Sequence, residues 1–209
     1  MNGSRERVLG RIRAALADVP AGEAPPDVSV PQTYAASHEQ GERLELLAGR
    51  IADYRAEVHR TTGGGLPDTI AAVLSQRRTR RAVTASDAPP VWFTSTAAEV
   101  VRDDGVDVAT LEGTDSVVTG CALAVAETGT LVLDSGAAQG RRIISLIPDH
   151  HVCVVNASDV VASVPHALHR LDPDRPLTWI SGPSATSDIE LERVEGVHGP
   201  RVLDVVLVE

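Results

Sequence analysis

Apolar positions along the chain keep two rhythms. Near the start, Val8, Leu9, Ile12 and Leu16 recur at helical spacing, with Arg5, Arg7, Arg11 and Arg13 mostly on the other faces. This predicts an amphipathic helix over 4–18, with Ser4 placed to cap it. Four prolines between Pro20 and Pro31 then predict an extended linker. Residues 1–31 therefore read as an appendage, packed on its own domain or on a partner, and 32–209 as the main domain. A second helical stripe, Leu44, Leu47, Ile51 and Tyr54, predicts a helix over 38–54. Short strand patterns follow at Glu57–Thr61 and 81–85, separated by Gly63-Gly64-Gly65 and a helical run at 67–78. Pro89 and Pro90 mark a loop, and Val91–Thr94 reads as another strand. The alternation of helix and strand predicts an α/β domain with a mostly parallel central sheet flanked by helices.

The second half is denser in strand patterns. Ser116–Val118, Ala122–Ala126, Thr130–Leu133, Val152–Asn156, Leu177–Ser181 and Val202–Val208 are β-branched or apolar runs punctuated by small residues. A helix is predicted over Val160–Leu171 with Ser158 as its cap, and a short one over 186–193.

Composition narrows the chemistry. The chain has 209 residues, 43 % of them hydrophobic but only 2 % aromatic, so aliphatic side chains must fill the core. A base-stacking surface for single-stranded nucleic acid is hard to build from so few rings. The net charge of −10 opposes phosphate backbones, so no nucleic-acid partner is expected. The cluster Arg77, Arg78, Arg80 and Arg81 reads as a solvated helix end instead. All 19 basic residues are arginine, which excludes a Schiff-base or P-loop lysine yet leaves bidentate carboxylate binding open. Two cysteines, Cys121 and Cys153, are too few for a typical iron–sulfur cluster and read as reduced and buried. No signal-like or membrane-spanning apolar run occurs, so a cytoplasmic location is expected. His151 and Cys153 share a strand face, but without further ligands no metal site is predicted.

Three glycine-centred segments interrupt the apolar strands. In Glu127-Thr128-Gly129-Thr130 a carboxylate lies beside an apolar sheet; it is either a hairpin-turn cap or a catalytic or binding group. In Gly182-Pro183-Ser184 through Asp188, Ser184, Thr186 and Ser187 offer hydroxyls. There, free N–H groups at 184–187 would begin a helix at the carboxyl end of a strand, either as an anion site or as an ordinary cap. In Gly196-Val197-His198-Gly199-Pro200 the histidine is either solvated or an acid–base group. Arg141 and Arg142, after the glycine-bearing stretch 134–140, are the candidate cations. A single shared cleft would make Glu127, His198 and Asp188 the candidate catalytic groups. Its binding groups would be Thr128, Gly129, Gly182, Ser184, Thr186, Ser187, Arg141 and Arg142, and its ligand a small carboxylate or phosphate.

Taken together, in this order and spacing, the three segments resemble the hallmark run of the lactate-utilisation (LUD-domain) family, most strongly over 115–208. The resemblance implies a fold like that of the sugar-phosphate isomerases and CoA transferases. It also implies a role beside iron–sulfur partner subunits that oxidise L-lactate to pyruvate, with the clusters in the partners and no cofactor in this chain. The alternative is a stand-alone acyl- or CoA-transferase-like enzyme of the same fold. Such enzymes use a glutamate followed closely by glycine, which Glu127-Thr128-Gly129 echoes.

Overall fold

The computed structural model describes residues 3–19, 42–186, 194–195 and 199–209. They fall into two compact units, one within 1–35 and one within 36–209. The first holds helix α1 (Gly3–Ala15), none of whose residues is buried. Its apolar stripe, Val8, Ile12 and Leu16, is exposed.

The second unit is built on a six-stranded, wholly parallel sheet. Its strands are β1 (Glu57–Thr61), β2 (Arg81–Ala85), β3 (Glu99–Asp103), β4 (Ser116–Thr119), β7 (His150–Asn156) and β12 (Val202–Val208), in the order β1-β12-β7-β4-β2-β3. Its central strands are buried on both faces, as parallel sheets covered by helices require. Successive residues of β12 show the alternation. Leu203, Val205 and Leu207 join Leu47 and Ile51 of α2 (Arg43–Asp53) on one face. Val206 joins Leu66, Ile70, Val73 and Leu74 of α3 (Leu66–Gln76) on the other.

A second, four-stranded sheet packs on the α2 side. It is ordered β8-β5-β6-β9, from β5 (Leu123–Val125), β6 (Thr130–Leu133), β8 (Val160–Val161) and β9 (Thr178–Ile180). Ala124, Ala126 and Leu131 face the main sheet's core, while Leu123, Val125 and Val132 bury Ala167 of α5 (Val164–Arg170) on the outer side. Strands β5 and β6 form an antiparallel hairpin whose loop is residues 126–129.

The structure corrects three readings and adds two elements. Residues Pro90–Phe93 form a 3-10 turn rather than a strand. The paired prolines remove donors a sheet would need, and Trp92 and Phe93 pack toward α3 instead. Strand β3 and the short helix α4 (Val108–Glu112) were not anticipated. The helix predicted from Val160 begins only at Val164, because Val160 and Val161 pair with β5 and Pro165 fits only a first helical turn. Finally, Ala185–Thr186 do not begin a helix. They form strand β10, paired antiparallel with β11 (Val194–Glu195). The remainder of the predicted helix, 187–193, lies outside the described residues. Among the described residues no helix is long and apolar enough to cross a membrane.

Candidate functional site

The hairpin turn and the 181–184 loop meet the same end of α2. Gly129 and Gly182 both have positive φ, 62° and 84°. A Cβ on Gly129 would lie 2.8 Å from Arg50 Cβ and 2.9 Å from the Arg50 carbonyl carbon; one on Gly182 would lie 2.5 Å from Tyr54 Cβ. Both positions thus need glycine for conformation and for space. A run of hydroxyls ties the two segments together. Thr128 Oγ1 and Thr130 Oγ1 are 2.7 Å apart, and Thr130 Oγ1 and Ser181 Oγ 2.8 Å. The loop then meets the segment after His198, where the Ser184 N–H donates to the Pro200 carbonyl at 2.8 Å.

These junctions wall a cleft of about 210 Å³, lined by Ser181–Ser184, Gly199, Pro200, Arg142, Ser145, His151 and Leu203 among others. Its floor is the second residue of β7 and of β12, so it lies by the amino ends of two parallel strands, on the α2 face. The sequence reading placed this loop at the carboxyl end of strands. That holds for β9 alone, which belongs to the smaller sheet.

The cleft's electrostatics centre on Arg142. Its Nη1 donates to Ser145 Oγ at 2.8 Å, and no carboxylate partners it among the described residues. Burial without such a partner lowers its pKa from the usual value. Arg141, the other candidate cation, is committed elsewhere. Its Nε and Nη2 donate to the two oxygens of buried Asp103 at 2.8 and 2.5 Å, and Nη2 also reaches the Val106 carbonyl. Fully buried His151 shares a 2.7 Å hydrogen bond with Thr119 Oγ1. Burial, with the neighbouring Arg142 charge, pushes its pKa down to about 3, so it is neutral at physiological pH.

Of the predicted site residues, Gly182, Ser184 and Arg142 line this cleft, whereas Arg141 does not. Thr128 and Gly129 sit in the hairpin turn beside it. Glu127 is half-buried in that turn, its N–H donating to the Ala162 carbonyl, and is not among the cleft-lining residues. The anion site imagined at the start of a helix is not formed at 184–186: the Ser184 N–H is already used and Thr186 lies in a strand. Ser187, Asp188 and His198 lie outside the described residues. Ser145 and His151 were missed as lining groups. Strand alternation puts His151 on the same face as Cys153, but nothing in the sequence says which loop covers that face.

A separate polar cluster occupies the amino edge of the sheet on the α3 face. Asp204 accepts from His59 Nε2 at 2.7 Å, His150 Nε2 at 2.8 Å and Arg77 Nε at 3.0 Å. With Nε2 donating, His150 Nδ1 accepts from Ser116 Oγ at 2.8 Å, and Ser116 in turn accepts from Thr79 Oγ1 at 2.7 Å. Ligand atoms of Glu57, His59 and Asp204 lie within 4.8 Å of one another, a spacing suited to a metal ion. The Arg77 guanidinium, however, bridges Glu57 at 2.8 Å and Asp204, and so already supplies the positive charge there.

Fold and site together define an α/β protein with a parallel sheet, a smaller sheet packed on it, and a cation-bearing cleft where the two meet. The LUD domain family model matches residues 90–208. A relative in Deinococcus radiodurans named lactate utilization protein C is 43 % identical over 88 % of this chain and 87 % of its own length. One of the same name in Halalkalibacterium halodurans is 28 % identical over 90 % of each chain. The crystal structure of a DUF162 family protein from D. radiodurans, 39 % identical, superposes with a TM-score of 0.69 over 80 % of this chain and 96 % of that one. The chain belongs to the LUD-domain family.

Proposed function

We propose that this chain is a cytoplasmic subunit of an L-lactate utilisation system, acting beside iron–sulfur proteins that oxidise L-lactate to pyruvate. The carrying observation is the 43 % identity, over nearly the whole chain, to a protein named for lactate utilisation. The oxidation releases two electrons and two protons. With two cysteines in the chain, a typical four-thiolate cluster must be held by a partner. The cleft supports a small carboxylate as ligand. Arg142 lacks a protein counter-ion among the described residues, and a volume of about 210 Å³ suits a three-carbon acid better than a nucleotide cofactor. The reading of Glu127 as a transferase nucleophile gains nothing from its place in the hairpin turn, outside that lining.

The test is a native pull-down of the tagged chain from lactate-grown cells, with iron content and lactate-dependent dye reduction measured on what is recovered. The expected result is iron and dye reduction in the complex and neither in the chain alone. Iron in the chain reconstituted by itself, or a lactate-grown complex free of iron–sulfur subunits, would overturn the proposal. In a parallel titration of the isolated chain with L-lactate and pyruvate, Arg142→Gln is expected to weaken binding by about 1.5–3 kcal/mol, the usual worth of a charged hydrogen bond.

A further inference from the structure

The carboxyl edge of the parallel sheet carries a second cleft. In the order β1-β12-β7-β4-β2-β3, the connection leaving β2 runs outward to β3, while the strands after β4 proceed the other way, through β7 to β12. Strand succession therefore reverses between β2 and β4. In open α/β sheets ligands gather outside the carboxyl ends of strands at such a reversal.

The segment 134–141 bridges that place. Gly120, just after β4, donates its N–H to the Ala138 carbonyl at 2.8 Å. Ala138 donates to Oδ2 of Asp87, just after β2, at 3.0 Å. Ser135, Ala138 and Gly140 all have positive φ, of 56°, 58° and 70°. Two of these three are not glycine, a strained conformation that recurs where a backbone is shaped for a ligand.

The resulting crevice measures about 790 Å³ and is lined by Ser86, Asp87, Asp103, Arg141, Arg142 and Arg175, among others. Of its three arginines, Arg141 is held by Asp103 and Arg175 by Asp134, which leaves Arg142 as the one with no carboxylate partner among the described residues. Arg175 pairs with Asp134 through Nη1 at 2.8 Å, yet its side chain stays 42 % exposed. Arg142 lines this crevice as well as the smaller cleft. Asp87 has Oδ2 engaged by Ala138, and its other oxygen is available to a hydroxyl.

We propose that this crevice binds a small phosphorylated, hydroxyl-bearing metabolite, with Arg142 and Arg175 donating to the phosphate and Asp87 accepting from a hydroxyl. A phosphate offers at least three acceptor oxygens, which matches several guanidinium donors better than a lone carboxylate does. The polyol part accounts for carboxylates in a lining otherwise suited to an anion. The inference shares Arg142 with the lactate reading but otherwise rests on a different cleft, so Arg175 and Ala137 test it separately.

The test is calorimetric titration of the full chain with pyrophosphate and with ADP as probes, alongside L-lactate. Wild type is expected to bind ADP more tightly than pyrophosphate, and both less tightly as salt is added. Arg175→Gln should weaken ADP binding about tenfold or more, in line with loss of a charge-assisted contact. Ala137→Glu provides a variant that touches no ion pair, since Ala137 is an exposed lining residue. It should weaken ADP binding similarly through charge repulsion, and both variants should keep the wild-type response to lactate. Arg142→Gln should weaken ADP and lactate together. Failure of wild type to bind ADP at millimolar concentration would overturn the proposal, and so would unchanged affinity in Ala137→Glu. ADP bound no more tightly than pyrophosphate would overturn the role given to Asp87.

Discussion

Replacing Asp204 by Asn is expected to be costly although it changes a single heavy atom. The carboxylate is 1 % exposed and accepts three hydrogen bonds, from His59, His150 and Arg77. Burial alone would raise its pKa. The hydrogen bonds from His150, His59 and Arg77 outweigh that and hold it well below the usual carboxylate range. Asparagine keeps one acceptor but turns an N–H₂ toward groups that are themselves donors. Arg77 would still hold Glu57, so the loss falls mainly on the histidines. Losing one charge-assisted bond and misdirecting a second in a buried site costs about 2–4 kcal/mol at pH 7. For a domain of this size that is a fall in Tm of about 5–15 °C. The cost should also depend on pH with a definite sign. Because the folded pKa is depressed, the wild-type contribution is complete above about pH 4, where an unfolded aspartate is ionised, and is lost as pH falls below that. Asparagine has no such dependence, so the two proteins should converge toward acid. Urea denaturation at pH 7, 5 and 3.5 measures this directly. A difference under about 0.5 kcal/mol at pH 7, or one that fails to shrink between pH 5 and 3.5, would refute the reasoning.

Two further outcomes follow from the site. Gly129→Ala should destabilise by about 1–3 kcal/mol, since it adds a Cβ at φ 62° against the backbone of Arg50, whereas Gly63→Ala, with open space around it, should be close to neutral; thermal melts of the pair decide it. His151, with its pKa pushed down to about 3, should stay neutral from pH 7 to 4 by NMR, and because unfolding lets it take up a proton, it makes stability fall as pH drops from about 6.5 toward 3. That slope should flatten in His151→Gln, while an imidazole titrating near 6.5 in the folded wild type would show that the ring is not buried as described.

What the sequence reveals, and where it stops, follows from which interactions are local. The runs at Glu57–Thr61, 81–85 and Val202–Val208 are short, β-branched and bounded by turn residues, and each is a strand within those limits. Strand β3 has only Val100 and Val101 as an apolar signature because it lies at the sheet edge, so periodicity gave no warning of it. That omission carried into the site. Arg141 and Arg142 are indistinguishable as neighbours in sequence. What separates them is Asp103, at the end of β3, which holds Arg141 with two hydrogen bonds and leaves Arg142 to the cleft. The meeting of the 182–184 and 199–200 segments was legible because both interrupt strands with glycine and proline. The supposed helix start at 184–186 was not, because serine and threonine suit a strand there as well as a cap.

The Asp204 cluster and the surroundings of Arg142 differ in how much of their bonding capacity is already used, and this separates structural from functional polarity. At the amino edge on the α3 face, Asp204, His150, Ser116 and Thr79 form a series in which each donor finds an acceptor, and Arg77 bridges Asp204 and Glu57. Such a network gains rigidity and has nothing left to offer a ligand. Around Arg142 the balance is reversed. The guanidinium is partly desolvated, has a serine and no carboxylate as its partner among the described residues, and lines both clefts. An arginine kept charged in that state has already lost part of its hydration before any ligand arrives. An incoming anion therefore recovers coulombic energy at little further desolvation cost to the arginine. If both clefts are used, one guanidinium serves two anions, and by linkage each must alter the affinity of the other by the same factor. The free energy that couples the clefts then resides in Arg142, while Arg175 and the 181–184 loop each belong to one side alone.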